Sequence, residues 1–448
     1  MQDSQWTLVA IVDEAKKLLG VVSTGDLRRS ILNGHALKTP LAAVMNTDPV
    51  VVRFEDFKNY SHISHIVDDL TRRYGRVSKF YAMVPVINRN RKFLGLVSLE
   101  SLTSFADTSS ISLNKRTVLV VGGAGYIGST LTRLLLDNGW AVRILDKMLY
   151  SETSLLGLEG KDFQLMRGDA GNTDDIVNAV SNVDAVVYLA ELVGDPACSI
   201  APQVTLKTNY LAVTSMAHLC SHLNINRFVY TSSCSVYGAN PNPEILLNEE
   251  SPLSPVSLYA RMKTLVEEAI LAVCNMPNRM FSPTILRLST VFGYSFRPRF
   301  DLVVNTFAKN AWAKNQIDVF GGDQWRPNVH VRDVAQAVLC VLNAPQETVR
   351  AQVFNVGGAH LNHTINELAE MVQDVFPGTQ VNKKEAMIDL RNYRVDFSKI
   401  ERTLGYRAKI SVKDGLREIK DVLDKKELPD LEDARFSNYK RMQELNYR

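Results

Sequence analysis

The stretch TVLVVGGAGYIGSTLTRLLLDNGWAVRILD, residues 117–146, constrains the fold of this chain more than any other. An apolar run leads into a glycine turn, then a run with helical spacing, then a second apolar run ending in Asp146. Gly122, Gly125 and Gly128 stand three residues apart. That spacing lets the backbone turn tightly, approach a pyrophosphate and seat the helix on the sheet. Tyr126 and Ile127 open the helix, whose N-terminus offers free N–H groups and the positive end of its dipole to phosphate. Asp146 follows Gly128 by 18 residues, near the separation expected of a carboxylate that binds a ribose 2′-hydroxyl. An anion there repels a 2′-phosphate, so the pattern predicts NAD in preference to NADP, with Lys147 beside it as a complication.

The alternation of apolar strand and helix continues. MRGDA reads as a third strand end that puts Asp169 and Ala170 near an adenine, and AVVYLAELVGDPAC as a fourth ending at Leu189, Ala190 and Glu191. The Glu191 carboxylate is expected either to face solvent or to touch the substrate. RFVYTSSCSVYG is the fifth strand, and its small hydroxyl and thiol side chains have little to pack with, so they are placed at the edge of a ligand cleft. The expected architecture is α/β: a Rossmann-type, doubly wound parallel sheet with ligands at the carboxyl ends of its strands and a smaller C-terminal lobe. Downstream, SLYARMKTLVEEAI puts Tyr259 and Lys263 four residues apart, on one helix face. A phenol beside an ammonium has its deprotonated form favoured, which predicts Tyr259 as a base near neutral pH.

These motifs, in this order, resemble the extended short-chain dehydrogenase/reductase family of nucleotide-sugar epimerases and dehydratases, over about residues 117–425. The resemblance implies NAD as cofactor and a nucleotide-diphosphate sugar as substrate. It implies Tyr259 as acid/base, Lys263 on the nicotinamide ribose, and Ser233 on the reacting sugar oxygen, with Asn209 counted among the cofactor contacts. Family members that dehydrate or decarboxylate usually carry a Glu two positions after the hydroxyl. Here Cys234 and Ser235 follow Ser233, which leaves oxidation at a carbinol, usually C4, with hydride return to the opposite face. The runner-up is one-way reduction of a keto-sugar. Cys234 could serve proton exchange at C3 or C5, although packing is favoured for it. A reading of another class is a nucleotide-sensing scaffold, against which the intact Ser233, Tyr259 and Lys263 argue.

Further along, Arg297, Arg299 and Asn305 cluster donors where a diphosphate could lie. Segments around Arg326 and Arg391 resemble those in which family members grip the substrate pyrophosphate, and a guanidinium suits that task by binding phosphate oxygens in pairs. Thr290 takes a place where some 4-epimerases have Asn, which leaves the sugar open. Helices carrying Tyr259 and following Asn209 are those through which relatives dimerise, so a homodimer or larger assembly is expected.

A second pattern lies at the N-terminus. LVAIVDEAKKLLGVVSTGDL (8–27) aligns without a gap on MVPVINRNRKFLGLVSLESL (83–102), at an offset of 75 residues. Each copy reads as strand, polar turn, strand and helix start, and neither covers its own sheet. GVVSTGDL and VMNTDPVVV resemble the cystathionine-beta-synthase (CBS) motif pair, with the first copy incomplete. The resemblance implies adenine nucleotide (AMP, ADP or ATP) held by Ser23 and Asp26, with Ser101 in the place of the second Asp; a packing module without ligand is the alternative. The expected organisation is a CBS pair over 1–106, a linker over 107–116, the dehydrogenase-like domain over 117–427 and a charged tail over 428–448 without assigned function.

At 448 residues two or three domains are expected, and a formal net charge of +3 supplies no field for nucleic acid. The 5 cysteines form no Cys-x-x-Cys pair, and His62 and His65 lack further ligands nearby, so no metal is expected. They read as reduced thiols of a cytoplasmic protein, with no signal peptide or membrane span.

Overall fold

The computed structural model describes residues 8–33, 39–54, 83–98, 115–150, 153–240, 242, 244–276, 281–384, 391–428 and 430–445. The chain divides into two compact units, Met1–Ile111 and Ser112–Arg448. Residues 107–114 of the expected linker, Ser101, and the pair His62 and His65 lie outside the described residues.

In the first unit the repeat is built twice as the same hairpin. Leu8–Val12 pairs antiparallel with Leu18–Ser23, and Met83–Ile87 pairs antiparallel with Phe93–Ser98. Each has a register shift at the corresponding place, between Ile11 and Val12 and between Val86 and Ile87. After the first hairpin, Ser23 Oγ donates to Asp26 Oδ2 at 2.6 Å and Arg29 pairs with Oδ1 at 2.5 Å. Those two side chains are thus tied to each other at the start of a helix.

The second unit is organised by a seven-stranded sheet. Its strands are β1 (Thr117–Val121), β2 (Ala141–Asp146), β3 (Phe163–Arg167), β4 (Ala185–Tyr188), β5 (Arg227–Ser233), β6 (Ser282–Leu288) and β7 (Gln352–Val356). They lie in the order β7-β6-β5-β4-β1-β2-β3, every pair parallel. The order reverses beside β1, and at such a switch point two connections leave in opposite directions and open a crevice at the strands' carboxyl ends. Both faces are covered, which is why these strands read as nearly continuous apolar runs. Val118 and Val120 pack with Leu131 and Leu135 of α1 (Tyr126–Asp137). Leu119 and Val121 face the other way, in one core with α2 (Thr173–Val180), α3 (Ala212–His222) and α4 (Leu258–Cys274). Helix α5 (Val331–Asn343) completes the first layer, with Val334 and Val338 buried.

A smaller lobe follows β6. It comprises a three-stranded sheet (Thr290–Phe292, Trp325–His330, Asn362–Thr364), a two-stranded one (Gln316–Phe320, Gln380–Lys384) and helices over Val303–Lys314, Ile365–Val375 and Val412–Asp424. Within the charged tail expected over 428–448, the described residues 430–445 pack onto the second unit. Helix α6 (Asn438–Glu444) docks Met442, fully buried, against Leu192, Ala197 and Cys198, and Phe300 N donates to Phe436 O. Among the described residues no helix is long and apolar enough to cross a membrane.

Candidate active site

One cleft of about 790 Å³ runs along the carboxyl ends of the strands, between sheet and smaller lobe. At one end is the glycine turn. Gly122 has φ +85°, and a Cβ there would lie 2.8 Å from Ala190 N, so only glycine lets β1 turn against the end of β4. A Cβ on Gly128 would sit 2.3 Å from Gly122 O, so this glycine seats α1 on the turn. Gly125 meets only Gly122 O, at 3.2 Å, and lines the cleft. The open side therefore faces the N-terminus of α1, the donor set a pyrophosphate needs.

Asp146 holds this turn. Its Oδ2 accepts from Ala124 N at 2.9 Å and its Oδ1 from Met148 N at 2.7 Å, while burial raises its pKa. Lys147 is engaged elsewhere, in an ion pair with Asp169 at 2.8 Å. Asp169 accepts as well from Gly171 N at 2.8 Å. Leu189 and Ile127 line the cleft, whereas Ala170 packs into the core and Ala190 backs the glycine turn. Tyr126 points its hydroxyl to Gly293 O at 2.7 Å and so joins the turn to the smaller lobe. Asn209 is no direct contact of the cleft, in correction of the sequence reading. It accepts from Leu192 N at 2.9 Å and donates to Leu192 O at 2.7 Å, which locks the chain after β4.

The cleft floor is the end of β5. Thr231 and Ser232 are turned to backing partners, Tyr188 O at 3.1 Å and the Glu267 carboxylate, while Ser233 faces Tyr259. The strand stops at Ser233, which caps a short 3-10 turn over Cys234–Tyr237 by accepting from Ser235 N at 3.1 Å. Cys234 is buried in a core cluster, the packing place favoured for it over a substrate contact. Its thiol bonds Arg287 O at 3.3 Å, and burial pushes its pKa up to about 12. Ser235 and Thr290 do line the cleft.

Tyr259 and Lys263 enter from the first turns of α4, capped by Ser257. The Lys263 ammonium is not among the main influences on this phenol. Burial, then the negative charge of Glu191, then Cys198 raise the Tyr259 phenol well above its ordinary value, against a hydrogen bond from Ser233 and the field of Arg299. The Lys263 ammonium is drawn away, onto Thr231 O at 2.5 Å and onto Glu191, and its Nζ lies 5.6 Å from the Tyr259 ring centroid. Glu191 does not face solvent: its side chain is 2% exposed and its Oε1 accepts from Tyr230 at 2.7 Å.

The arginines divide into two sets. Arg326 donates to the Arg391 carbonyl, which brings the two side by side, and Arg391 pairs with Asp195 at 2.7 Å across the cleft. Arg297 and Arg299 also line the cleft but are held internally. Arg299 pairs with Asp301 at 2.8 Å; Arg297 stacks 3.9 Å over Tyr150 and donates to Asn438 at 2.8 Å. Asn305 is corrected from a phosphate donor to a structural clip, since its amide is used by Gly293, Tyr126 and Arg299 and does not line the cleft. Three lining residues, Asp195, Tyr150 and Asn438, escaped the sequence reading. Asp195 Oδ1, the Tyr150 hydroxyl, Ser235 Oγ and Arg297 Nε are buried with no hydrogen-bond partner among the described residues. Ser289 Oγ is a fifth such atom along the cleft; buried polar atoms without partners are rare, and five along one cleft fit a polar ligand that supplies them.

The class defined by this sheet, turn and Tyr–Lys pair is that of NAD-dependent enzymes acting on nucleotide sugars. The chain belongs to the NAD dependent epimerase/dehydratase family, whose model matches residues 118–357. It is 29% identical over 317 residues to a dTDP-glucose 4,6-dehydratase of Streptomyces niveus, covering 67% of this chain and 90% of that protein. It is 27% identical over 308 residues to a putative UDP-glucose 4-epimerase of Methanocaldococcus jannaschii, covering 67% of this chain and 96% of that one. Among solved structures, the UDP-glucuronic acid 4-epimerase of Bacillus cereus, in complex with UDP-glucuronic acid and NAD, superposes with a TM-score of 0.61 at 25% identity, covering 69% of this chain and 99% of that chain. NAD is the cofactor of this family, and the open side of the glycine turn, at the N-terminus of α1, has the donors its pyrophosphate needs.

Proposed function

We propose that the second unit is an NAD-dependent epimerase of a nucleotide-diphosphate sugar, acting by oxidation at C4 and reduction of the keto-sugar from the opposite face. The observation that carries the reading is the meeting of Ser233, Tyr259 and Lys263 with Arg326 and Arg391 in one cleft. NAD, when bound, supplies the hydride acceptor and donor. The adenine end lies against Asp146 and Asp169, and remaining lone pairs of Asp146 take ribose hydroxyls. With Lys147 paired to Asp169, a carboxylate and no free ammonium faces that ribose, which favours NAD over NADP. Tyr259 removes the carbinol proton while Ser233 holds the same oxygen, and Lys263 positions the nicotinamide ribose. Arg326 and Arg391 take the diphosphate, for which Arg391 exchanges its contact with Asp195.

Elimination of water needs an acid and a base besides the tyrosine. Cys234 is turned into the core and protonated, Ser235 is a hydroxyl, and Glu191 is committed to Lys263 and Tyr230. These features favour epimerisation over dehydration and over proton exchange by Cys234. For the first unit we propose a CBS-type module that binds an adenine nucleotide at Ser23 and Asp26 and adjusts the rate. Assembly as a homodimer through α3 and α4 accords with exposed Leu211 and Leu265 beside and on those helices.

The test is to denature the purified protein and identify what it releases by mass spectrometry, then assay the sugar nucleotide found. Bound NAD and interconversion of two C4 epimers are expected. NADPH, or net reduction of a keto-sugar, would overturn the reading. AMP and ATP titrations that change neither thermal stability nor rate would remove the regulatory part, and a monomer in light scattering the dimer.

A further inference from the structure

Glu191 has no part in the chemistry set out above, yet it lies in the floor of the same cleft. It stands three residues past the end of β4, and two side chains converge on it. Lys263 Nζ is in ion-pair contact with Oε2, the Tyr230 hydroxyl donates to Oε1 at 2.7 Å, and the same Nζ stands 4.7 Å over the Tyr230 ring. The two charged side chains are 5% and 2% exposed. A carboxylate so enclosed stays ionised only through such partners, and an ammonium so enclosed needs a counter-charge in turn.

We propose that Glu191 is a positioning residue which cancels the Lys263 charge at the nicotinamide end of the cleft, so that the site holds oxidised NAD more tightly than it would beside a bare ammonium. The inference rests on the assignment of Lys263 to the nicotinamide ribose made above. The oxidised nicotinamide ring is a cation and the reduced ring is neutral. An unpaired ammonium in a low-dielectric floor therefore repels one redox state of the cofactor and is nearly indifferent to the other. With Glu191 in place the floor is neutral overall, and its carboxylate adds a favourable contact for the cationic ring. The balance between the two cofactor states moves toward the oxidised one, which is the state each epimerisation must regenerate.

The experiment compares Kd for NAD⁺ and for NADH in wild type, Glu191→Gln and Glu191→Asp, after removal of bound cofactor, by calorimetry and NADH fluorescence. A unit charge near the ring is worth about tenfold in relative affinity. Glu191→Gln, nearly isosteric but uncharged, is expected to raise the ratio Kd(NAD⁺)/Kd(NADH) by that factor, while Glu191→Asp, which keeps the charge, stays near wild type. A Gln variant with the wild-type ratio, or an Asp variant that follows Gln, would overturn the proposal, because only charge separates the two. Should the Gln variant fail to fold, Glu191→Ser also removes the charge and leaves room for water beside the Lys263 ammonium. It is expected to move the ratio in the same direction, and an unchanged ratio there overturns the proposal equally. The ratio requires no sugar, so failure of the proposed epimerisation and failure of this inference are read separately.

Discussion

Two buried acid–base pairs hang from helix α4 one turn apart, and they differ in every respect that matters. Glu267 and Arg287 are joined by three hydrogen bonds, with Nη2 to Oε2 at 2.7 Å and Nε to both oxygens at 3.1 and 3.2 Å. Ser232 adds a donor to Glu267, and Tyr237 and the Glu249 carbonyl take the remaining arm of the guanidinium. Neither side chain lines the cleft. Lys263 and Glu191 are joined by a point contact and line the cleft. A planar guanidinium that satisfies a carboxylate at both oxygens leaves nothing for a ligand, whereas an ammonium has donors to spare. Saturation marks the pair that holds β5, β6 and α4 together. Its absence marks the pair proposed to act on the cofactor.

The sharpest way to break that distinction is at the phenol between the pair and the substrate. Tyr259→Phe is expected to lower turnover by roughly 10²–10⁴-fold with an unchanged melting temperature. Wild-type turnover in that variant would move the chemistry elsewhere. Glu267→Gln should do the reverse and cost about 3–5 kcal/mol of stability by leaving the Arg287 guanidinium buried without its counter-charge. A urea midpoint near wild type would show the saturated pair to be dispensable. Asn438 links the C-terminal helix to both Arg297 and Val193 O, at 2.8 and 3.0 Å. Asn438→Ala should remove about 1–3 kcal/mol there and raise KM more than it lowers kcat, and steady-state kinetics decide this.

The smallest effect expected is in pH. Tyr259 faces Glu191, Cys198, Lys263, Tyr230 and Arg299, and burial followed by Glu191 holds its phenol protonated above the usual range. With the Tyr259 phenolate as the proposed base, kcat/KM for oxidation should climb as pH rises past neutrality. Glu191→Gln takes away a negative charge that opposes ionisation, and should move that limb to lower pH. An ultraviolet titration of tyrosinate, wild type against Tyr259→Phe, reads the same shift without substrate.

What was legible beforehand depended on the range of the interaction. The glycine turn, its helix and Asp146 lie within one βαβ unit, where spacing alone sets geometry, and the parallel sheet follows from strands apolar on both faces. Tyr259 and Lys263 share a helix face by period. The N-terminal repeat was legible because the second hairpin has the first one's pattern residue for residue. The errors were all at long range. Nothing near Asn305 in sequence says that it would clip Tyr126 to the Gly293 turn, and nothing in the charged tail says that Asn438 would hold Arg297.

The sequence by itself thus determined the class of fold and the placing of the glycine turn and of the Tyr259–Lys263 pair proposed for the chemistry, because each is written in local periodicity. Only the tertiary structure decided how those groups are charged. Whether an ammonium acts on a phenol depends on what else lies within a few ångströms, and here Glu191, brought in from 72 positions before Lys263, takes the charge first.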